Sequence, residues 1–469
     1  MLDFEPYSLE TLKKYLPFIQ RRPGSCSDIS AGMFFMWHEG LNVSFCVRRN
    51  TFVARQDTGG QPAFSWPTGE DPDGLVDELM VYVRENDLPL RFFAVDDETL
   101  ERIRSDARFH GLRAAFEPRW SDYLYDFESA ATFKGRKFSG QRNHVNKFRR
   151  LYGEPEVRAL APGDEPLLLR LLEEYRSEHA DGDMLEQIEL EKSRELLVRH
   201  QALNLIAAGL FAGGELAAFS VGEIIGDMLV IHVEKALLRF EGAYPAMYQG
   251  FVKLVWDMLG HPLRLVNRED DSGDPGLRTS KQQYQPVGMA NKHLVHVDAP
   301  AARLDRLPVL RAGGAALTPL REEDKAAYLR LNTDVENNRF WGYDYREDIY
   351  LHRPVSEDSF YDGVQYDMAA GDSINFAVRL SEEGELIGEV ILWNFTSTGR
   401  AEIGCRLTPS CQGRGLGRAA FAAAVNFARD GLGLKPWARC MIQNAASRRM
   451  IEAGGLRLVR QDEAYMYFE

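Results

Sequence analysis

Two hydrophobic periods take turns along the chain. Alternation of apolar and polar positions marks "LNVSFCVRRNTFVARQ" (41–56) as a strand hairpin and "DYLYDF" (122–127) as an edge strand. It marks "LNLIAAGLFA", "ELAAFSVGEII" and "DMLVIHVEKAL" (203–237) as a three-stranded meander, with a Gly-Gly-Glu turn inside it. The helical period appears in "SLETLKKYLPFI" (8–19), capped by its serine, and in "DGLVDELMVYVREN" (73–86). It returns in "YPAMYQGFVKLVWDMLG" (244–260), which stops at glycine. After residue 315 the order is strand and acid-rich helix start ("LTPLREEDKAAYL"), then the strands "INFAVRL", "IGEVILWN" and "AEIGCRL". A glycine-rich turn feeds a long helix, "TPSCQGRGLGRAAFAAAVNFARDGLG", followed by strand "PWARCMIQ", helix "NAASRRMIEAGG" and a closing pair in "LRLVRQDEAYMYFE". This order predicts an α/β fold of mixed sheets covered by helices.

The length of 469 residues exceeds one hydrophobic core, so two or three domains are expected. The clearest seam is the Ala-, Pro- and Gly-rich stretch after Ala299, which predicts a linker over 299–314 between a module at 1–298 and a domain at 315–469. The module divides into halves at about 1–130 and 131–298. The five cysteines show no CxxC and no metal spacing, so reduced thiols and no metal are expected. The N-terminus has early acids and no apolar signal core, and no apolar run reaches the ~20 residues of a membrane helix, so the expectation is a cytoplasmic protein without a membrane span.

Net charge is -14, which argues against a general nucleic-acid coat. Yet "KGRKFSGQRNHVNKFRR" (134–150) gathers seven Lys/Arg and no acid. On a helix from about Gln141, Val145 and Phe148 form the apolar face, and Arg142, Asn146 and Arg149 share a neighbouring stripe beside that of Asn143, Lys147 and Arg150. A solvated face and a phosphate-binding wall both fit this pattern. "NREDDSGDPGLRTSKQQY" (267–284) packs four acids against Arg268, Arg278 and Lys281. It reads either as a structural ion-pair network or as a polar pocket, in which Glu269 or Asp270 positions an amine and Arg278 and Lys281 bind phosphate or carboxylate.

"CQGRGLGRAA" spaces Gly413, Gly415 and Gly417 between a strand and a helix start. Such glycines let backbone N–H groups and the helix N-terminus approach an anion, although a plain tight turn has the same composition. This segment resembles the acyl-coenzyme-A loop of the GNAT N-acetyltransferase superfamily, Gln/Arg-x-x-Gly-x-Gly/Ala, through Gln412, Gly415 and Gly417. "NAASRRMIEAGGL" matches the second family element through Asn444, Ser447, Arg448 and Gly455. "AEIGCRLTP" matches the strand whose backbone faces the pantetheine arm. The resemblance covers about 315–469. It implies acetyl-coenzyme A, or another acyl-coenzyme A, as cosubstrate, held by Cys405, Leu407, Gln412, Gly413, Arg414, Gly415, Leu416, Gly417, Arg418, Asn444, Ser447 and Arg448. It also implies attack by a neutral amine on the thioester, with a carboxylate taking the proton. Glu402 is the first candidate base and Glu389 the second. The family's helix tyrosine is replaced at Met450–Ile451, so Tyr465 or Tyr467 would supply the proton donor or shape the acceptor pocket. "NNRFWGYDY" and Trp393 would line that pocket or serve as core. Cys405 and Cys411 read as small apolar residues.

Residues 1–298 resemble the C-terminal domain of phosphatidylglycerol lysyltransferases, in a soluble branch, itself a pair of GNAT-like halves. The resemblance rests on Arg142 and Asn143, on Glu234, Lys235, Gly242 and Tyr244, and on Asn267, Arg268, Glu269, Asp270, Gly273, Leu277, Arg278, Lys281 and Tyr284. It implies three GNAT-like folds in tandem. It also implies an acceptor-binding or aminoacyl-transfer module, with an aminoacyl-tRNA as possible partner. Three functions follow: an acyl-coenzyme-A-dependent N-acyltransferase acting on a small-molecule or peptide amine; a bifunctional enzyme that also uses aminoacyl-tRNA; and a non-catalytic coenzyme A or RNA binder.

Overall fold

The computed structural model describes residues 2–179, 184–348, 351 and 354–469. Its strands form three mixed sheets that share one plan. In each, an antiparallel meander meets one parallel neighbour, and a helix crosses between the two parallel strands.

In the first sheet the strand order is Glu5–Pro6, Ser44–Arg48, Thr51–Thr58, Gln61–Phe64, Arg91–Val95, His293–Val297, Leu112–Phe116. The parallel pair is Gln61–Phe64 with Arg91–Val95, joined by helix Pro72–Glu85. In the second the order is Gly288–Ala290, Asp122–Asp126, Leu265–Asn267, Met228–Ala236, Glu215–Ile225, Ile206–Ala212, Glu156–Ala159. Helix Ala243–Leu259 joins its parallel pair, Met228–Ala236 and Leu265–Asn267. In the third the order is Leu310–Ala312, Ala315–Thr318, Ile374–Arg379, Gly388–Trp393, Arg400–Leu407, Lys435–Met441, Tyr465–Phe468, Leu458–Gln461. There the crossover helix is Leu416–Asn426. Three GNAT-like units in tandem are therefore present.

The first two units are interlocked. The strand position that Tyr465–Phe468 fills in the third sheet is filled in the first by His293–Val297, which follows the second unit in sequence. The matching position in the second sheet is filled by Asp122–Asp126, which directly follows the first unit. Each unit thus lends the other a strand, and no cut near residue 130 separates them. Asp122–Asp126 is also not an edge strand, because it pairs on both sides. The stretch 299–314 carries order of its own: Pro300–Arg303 forms a turn of 3₁₀ helix, and Leu310–Ala312 starts the third sheet.

The periodic segments become the expected elements. Ser8 caps helix Leu9–Ile19 through the Thr11 N–H, and Asp71 caps Pro72–Glu85 through the Gly74 N–H, contacts worth about 1 kcal/mol each. The third unit docks on the first through Arg91, which pairs with Asp372. Gly371, with φ +78°, lies so close to Arg113 and Ala299 that a Cβ would sit 2.8 and 2.9 Å from them. Among the described residues no helix is long and apolar enough to cross a membrane.

Candidate active site

In the third unit the parallel register runs Arg400↔Lys435, Ala401↔Pro436, Glu402↔Trp437, and stops there. Beyond it Ile403–Leu407 stays with Gly388–Trp393, while Ala438–Met441 follows Tyr465–Phe468. The two strands therefore part, and their facing backbone edges open a cleft. The cleft leads to the start of helix Leu416–Asn426. Gly413 (φ +71°) and Gly415 (φ +78°, the N-cap) take left-handed conformations there, and a Cβ on either would meet nothing within 4 Å. The first-turn N–H groups have no partner inside the helix, Arg414 and Arg418 beside them in sequence are exposed, and so is Arg448 on helix Ala445–Ala453. This donor set fits a polyphosphate.

The other expected coenzyme residues frame this cleft in different ways. Gln412 Nε2 donates to the Leu407 carbonyl (3.0 Å) and to Asn337 Oδ1 (2.7 Å), so its side chain braces the loop. Leu416 is buried in the core behind the loop. Gly417 faces Met450, the residue at the missing tyrosine's place. Asn444 caps helix Ala445–Ala453 by accepting the Ser447 N–H at 3.0 Å, and Arg448 pairs with Glu452. Cys405 lies on the helix-facing side, its Sγ 3.9 Å from the Gly417 carbonyl, with the thiol pushed up to about 12 by burial.

The opposite face of the sheet carries the carboxylates. Glu402 is almost fully buried. Its Oε1 accepts from Arg439 Nε (3.0 Å) and its Oε2 from Asn394 Nδ2 (2.6 Å). Burial raises its pKa, opposed by Arg439 and Asn394. Two indoles stand beside it: Trp393, its cross-strand partner, and Trp341, 6.3 Å from Trp393 between ring centres. Both press on Gly404, where a Cβ would lie 2.7 Å from Trp393 and 3.1 Å from Trp341. The Tyr465 ring lies under Arg439 at 5.2 Å, whereas Tyr467, opposite Arg439 in the strand register, donates to Asp462 and stacks on Arg460. Glu389 is held differently. Its Oε2 accepts from the Tyr328 hydroxyl (2.6 Å) and its Oε1 from Arg406 (3.0 Å), which also binds Asn332 and Asn338. That network engages both Glu389 carboxylate oxygens.

In the N-terminal module the expected residues divide. Glu234 and Arg268 form a buried ion pair at 2.8 Å. The guanidinium stacks on Tyr248 (4.2 Å) and Tyr284 (4.5 Å), with Tyr125 further off. Four polar atoms of this pair and its neighbours are buried without a hydrogen-bond partner among the described residues: Ser220 Oγ, Glu234 Oε2, Tyr248 OH and Arg268 Nη1. Such a cluster is costly unless something polar fills it. Tyr244 is largely buried in the same helix as Tyr248, and burial raises its pKa.

The remaining residues have protein partners. Lys281 donates to the carbonyls of Arg268 and Asp270, and burial lowers its pKa. Asn267 binds Ser25 and Asp122. Glu269 binds His232, and Asp270 pairs with Lys292. Arg278 pairs with Asp271, and Lys235 with Glu189. Arg142 donates to the Phe133 and Gly135 carbonyls ahead of its own helix, while Asn143 is exposed.

Sequence reasoning missed Asn394, Arg439, Ser220, Tyr125 and Tyr248. Only Arg439 carried a usable signal, since alternation from Trp437 puts it on the same face as Glu402.

The family described as phosphatidylglycerol lysyltransferase, C-terminal, matches residues 22–296, and the acetyltransferase (GNAT) domain family matches 316–457. An uncharacterised protein of Mycoplasmoides gallisepticum is 21% identical over 265 residues, 55% of this chain and 79% of its own. A conserved protein of unknown function from Bacteroides thetaiotaomicron is 25% identical with a TM-score of 0.58, covering 64% of this chain and 100% of that one. Mycobacterium smegmatis RimJ, solved in complex with CoA-disulfide, is 20% identical with a TM-score of 0.30 over 34% of this chain and 84% of its own. Matched over more than half its length, this chain belongs to the phosphatidylglycerol lysyltransferase C-terminal family, and its C-terminal GNAT domain makes it an acyltransferase.

Proposed function

We propose that the third unit moves an acyl group, with acetyl the first choice, from acyl-coenzyme A to a primary amine, and that the N-terminal module binds the acceptor. The observation that carries this reading is the parted strand pair leading to an open glycine-lined helix start, with a buried carboxylate on the other face. The cleft would take the pantetheine arm, and the helix N–H groups with Arg414, Arg418 and Arg448 would take the phosphates. In the transfer, the amine nitrogen attacks the thioester carbon and the C–S bond breaks. The amine proton passes to Glu402, directly or through water, and the thiolate leaves. Burial raises the Glu402 pKa, against the pull of Arg439 and Asn394, and so favours proton acceptance by this carboxylate. Trp341, Trp393 and Tyr465 would form the acceptor wall. The protein would work in the cytoplasm.

Acetyl-coenzyme A at 100-fold its dissociation constant should stabilise the chain by about 2.7 kcal/mol. Thiol release should follow with some member of a panel of polyamines, small primary amines and short peptides. Absence of both effects refutes the reading.

A second reading, aminoacyl transfer from tRNA by the N-terminal module, is favoured by the buried polar cluster at Glu234–Arg268. Lys134, Arg136, Lys137 and Arg150 are exposed and make no ion pair among the described residues, whereas Lys147 and Arg149 are paired. Salt-sensitive tRNA binding that weakens when those four become Ala supports this reading, and unchanged binding rejects it.

A further inference from the structure

We propose that Gln61, which belongs to the first unit, is a positioning residue for acyl transfer in the third, acting through Asn394 on Glu402. This rests on the reading of Glu402 as the base.

Gln61 follows the tight turn at Gly59 and Gly60, after strand Thr51–Thr58. Arg91 pins that turn from behind. Its side chain is 1% exposed, and its Nη1 donates to the carbonyls of Thr58 (2.9 Å) and Gln61 (3.1 Å). From this fixed base Gln61 Nε2 donates to Asn394 Oδ1 at 2.5 Å, and Asn394 Nδ2 donates to Glu402 Oε2 at 2.6 Å.

The chemistry dictates this order. An ionised carboxylate only accepts, so Asn394 must turn its NH₂ toward Glu402. Its carbonyl oxygen then faces away and requires a donor, which Gln61 supplies. Asn394 sits at φ +50° directly after strand Gly388–Trp393, a left-handed conformation that asparagine adopts more readily than most residues.

The rest of the turn is gripped by the first unit too. Ser397 N–H donates to the Leu88 carbonyl (3.0 Å) and Ser397 Oγ to that of Val83 (2.9 Å). Arg400 pairs with Asp87 at 3.3 Å, and Thr398 donates to the same carboxylate. The turn joins the strand of Trp393 to the strand of Glu402, so the N-terminal unit completes the acceptor side of the acyltransferase site. Loss of the Gln61 donor frees the Asn394 amide to rotate. Glu402 is then left with Arg439 as its one charged partner, and its ionised form is less well held.

The test uses the full chain, acetyl-coenzyme A and whichever panel amine it turns over. Gln61→Ala, and Gln61→Met, which keeps length without a donor, should fold with near-normal thermal midpoints. Both should lower kcat about tenfold, leave KM for acetyl-coenzyme A unchanged and move the acid limb of the kcat/KM profile to higher pH. In a Glu402→Gln background either substitution should change turnover no further. Normal kcat and an unmoved acid limb in a folded Gln61 variant overturn the proposal while Glu402 stands as base, provided Glu402→Gln is impaired. A repeat of the full tenfold loss in the Glu402→Gln background overturns it as well. Full activity of Glu402→Gln removes the base reading and this inference with it, as does an enzyme silent toward the whole panel.

Discussion

Glu389 and Glu402 are both nearly fully buried, each 2% exposed, and both face the same side of the third sheet, yet their partners differ, and in the proposed reading so do their tasks. The substitutions Glu389→Gln and Glu402→Gln should separate these. At position 389 the amide keeps the shape but loses the charge that balances buried Arg406, itself 8% exposed. It must also present one N–H either to Arg406 or to the Tyr328 hydroxyl. Removing one partner of a buried ion pair costs about 3–5 kcal/mol. For a unit of this size each 1 kcal/mol lowers the midpoint by about 2–4 °C, so the third unit's thermal transition should fall by roughly 6–20 °C. Where folded, the variant should turn over substrate nearly as well as the wild type. At position 402 the lost ion pair is with Arg439, whose side chain is 42% exposed, and such pairs contribute about 1 kcal/mol or less. Relief of a buried charge offsets part of that, so stability should barely change, while loss of a general base should lower kcat by about 10²–10⁴. Calorimetry on the full chain, which resolves separate transitions, and thiol release from acetyl-coenzyme A read the two effects. A stable but inactive Glu389→Gln with a normal Glu402→Gln would reverse the assignment and refute the reasoning.

Gly404→Ala should push Trp393 and Trp341 apart, destabilising by about 1–3 kcal/mol and raising KM for the amine while leaving KM for acetyl-coenzyme A unchanged; steady-state kinetics in each substrate decides it. Arg268→Met should cost about 3–5 kcal/mol by stranding Glu234, and the double variant with Glu234→Met should recover most of it in urea unfolding. His232 hydrogen-bonds Glu223 (2.9 Å) and Glu269 (2.7 Å), and although burial opposes its charge these carboxylates raise its pKa to about 10. The folded pKa exceeds the unfolded one, so this stabilisation is complete below about pH 6.5 and is lost as pH rises through about 10. Unfolding free energy should therefore fall over that window, and less so in His232→Gln.

Local period made the elements legible: the meander at 203–237, the crossover helices and the glycine loop lie where the sequence put them. Pairing partners were not legible, because alternation specifies a face and not a neighbour. Asp122–Asp126 looked like an edge strand from its flanks, but two strands more than 130 residues later cover it on both sides. The lent strand His293–Val297 (HLVHV) is buried on both faces, so its pattern gave no hint of which sheet it joins. Leu310–Ala312, at three residues, is too short for alternation to mark. At the site, the resemblance pointed to Glu402 as the first candidate, whereas nothing local pointed to Asn394, which Gln61 reaches from a turn 333 residues earlier. Tyr248 went unmarked because nothing local reveals that a buried guanidinium stacks on it.

The threefold repetition of one plan makes the differences among the crossover helices informative. Each of the three helices begins where an anion could sit, yet two of these places are taken. In the first unit Asp71 occupies the start of Pro72–Glu85, its carboxylate accepting the Gly74 N–H at 3.1 Å, so negative charge is already supplied there. In the second unit Gly242 caps Ala243–Leu259 with the His144 carbonyl so close that a Cβ would lie 2.2 Å from it. The basic helix Ser139–Tyr152 is packed over that end. Only the third start, at Gly413 and Gly415, is both free of a capping acid and open to solvent. For the proposed phosphate-bearing acyl donor this leaves one helix terminus of the three. The module before it contributes through other means: the strand exchange that makes its two units one body, and the Gln61 contact by which that body reaches the carboxylate of the third.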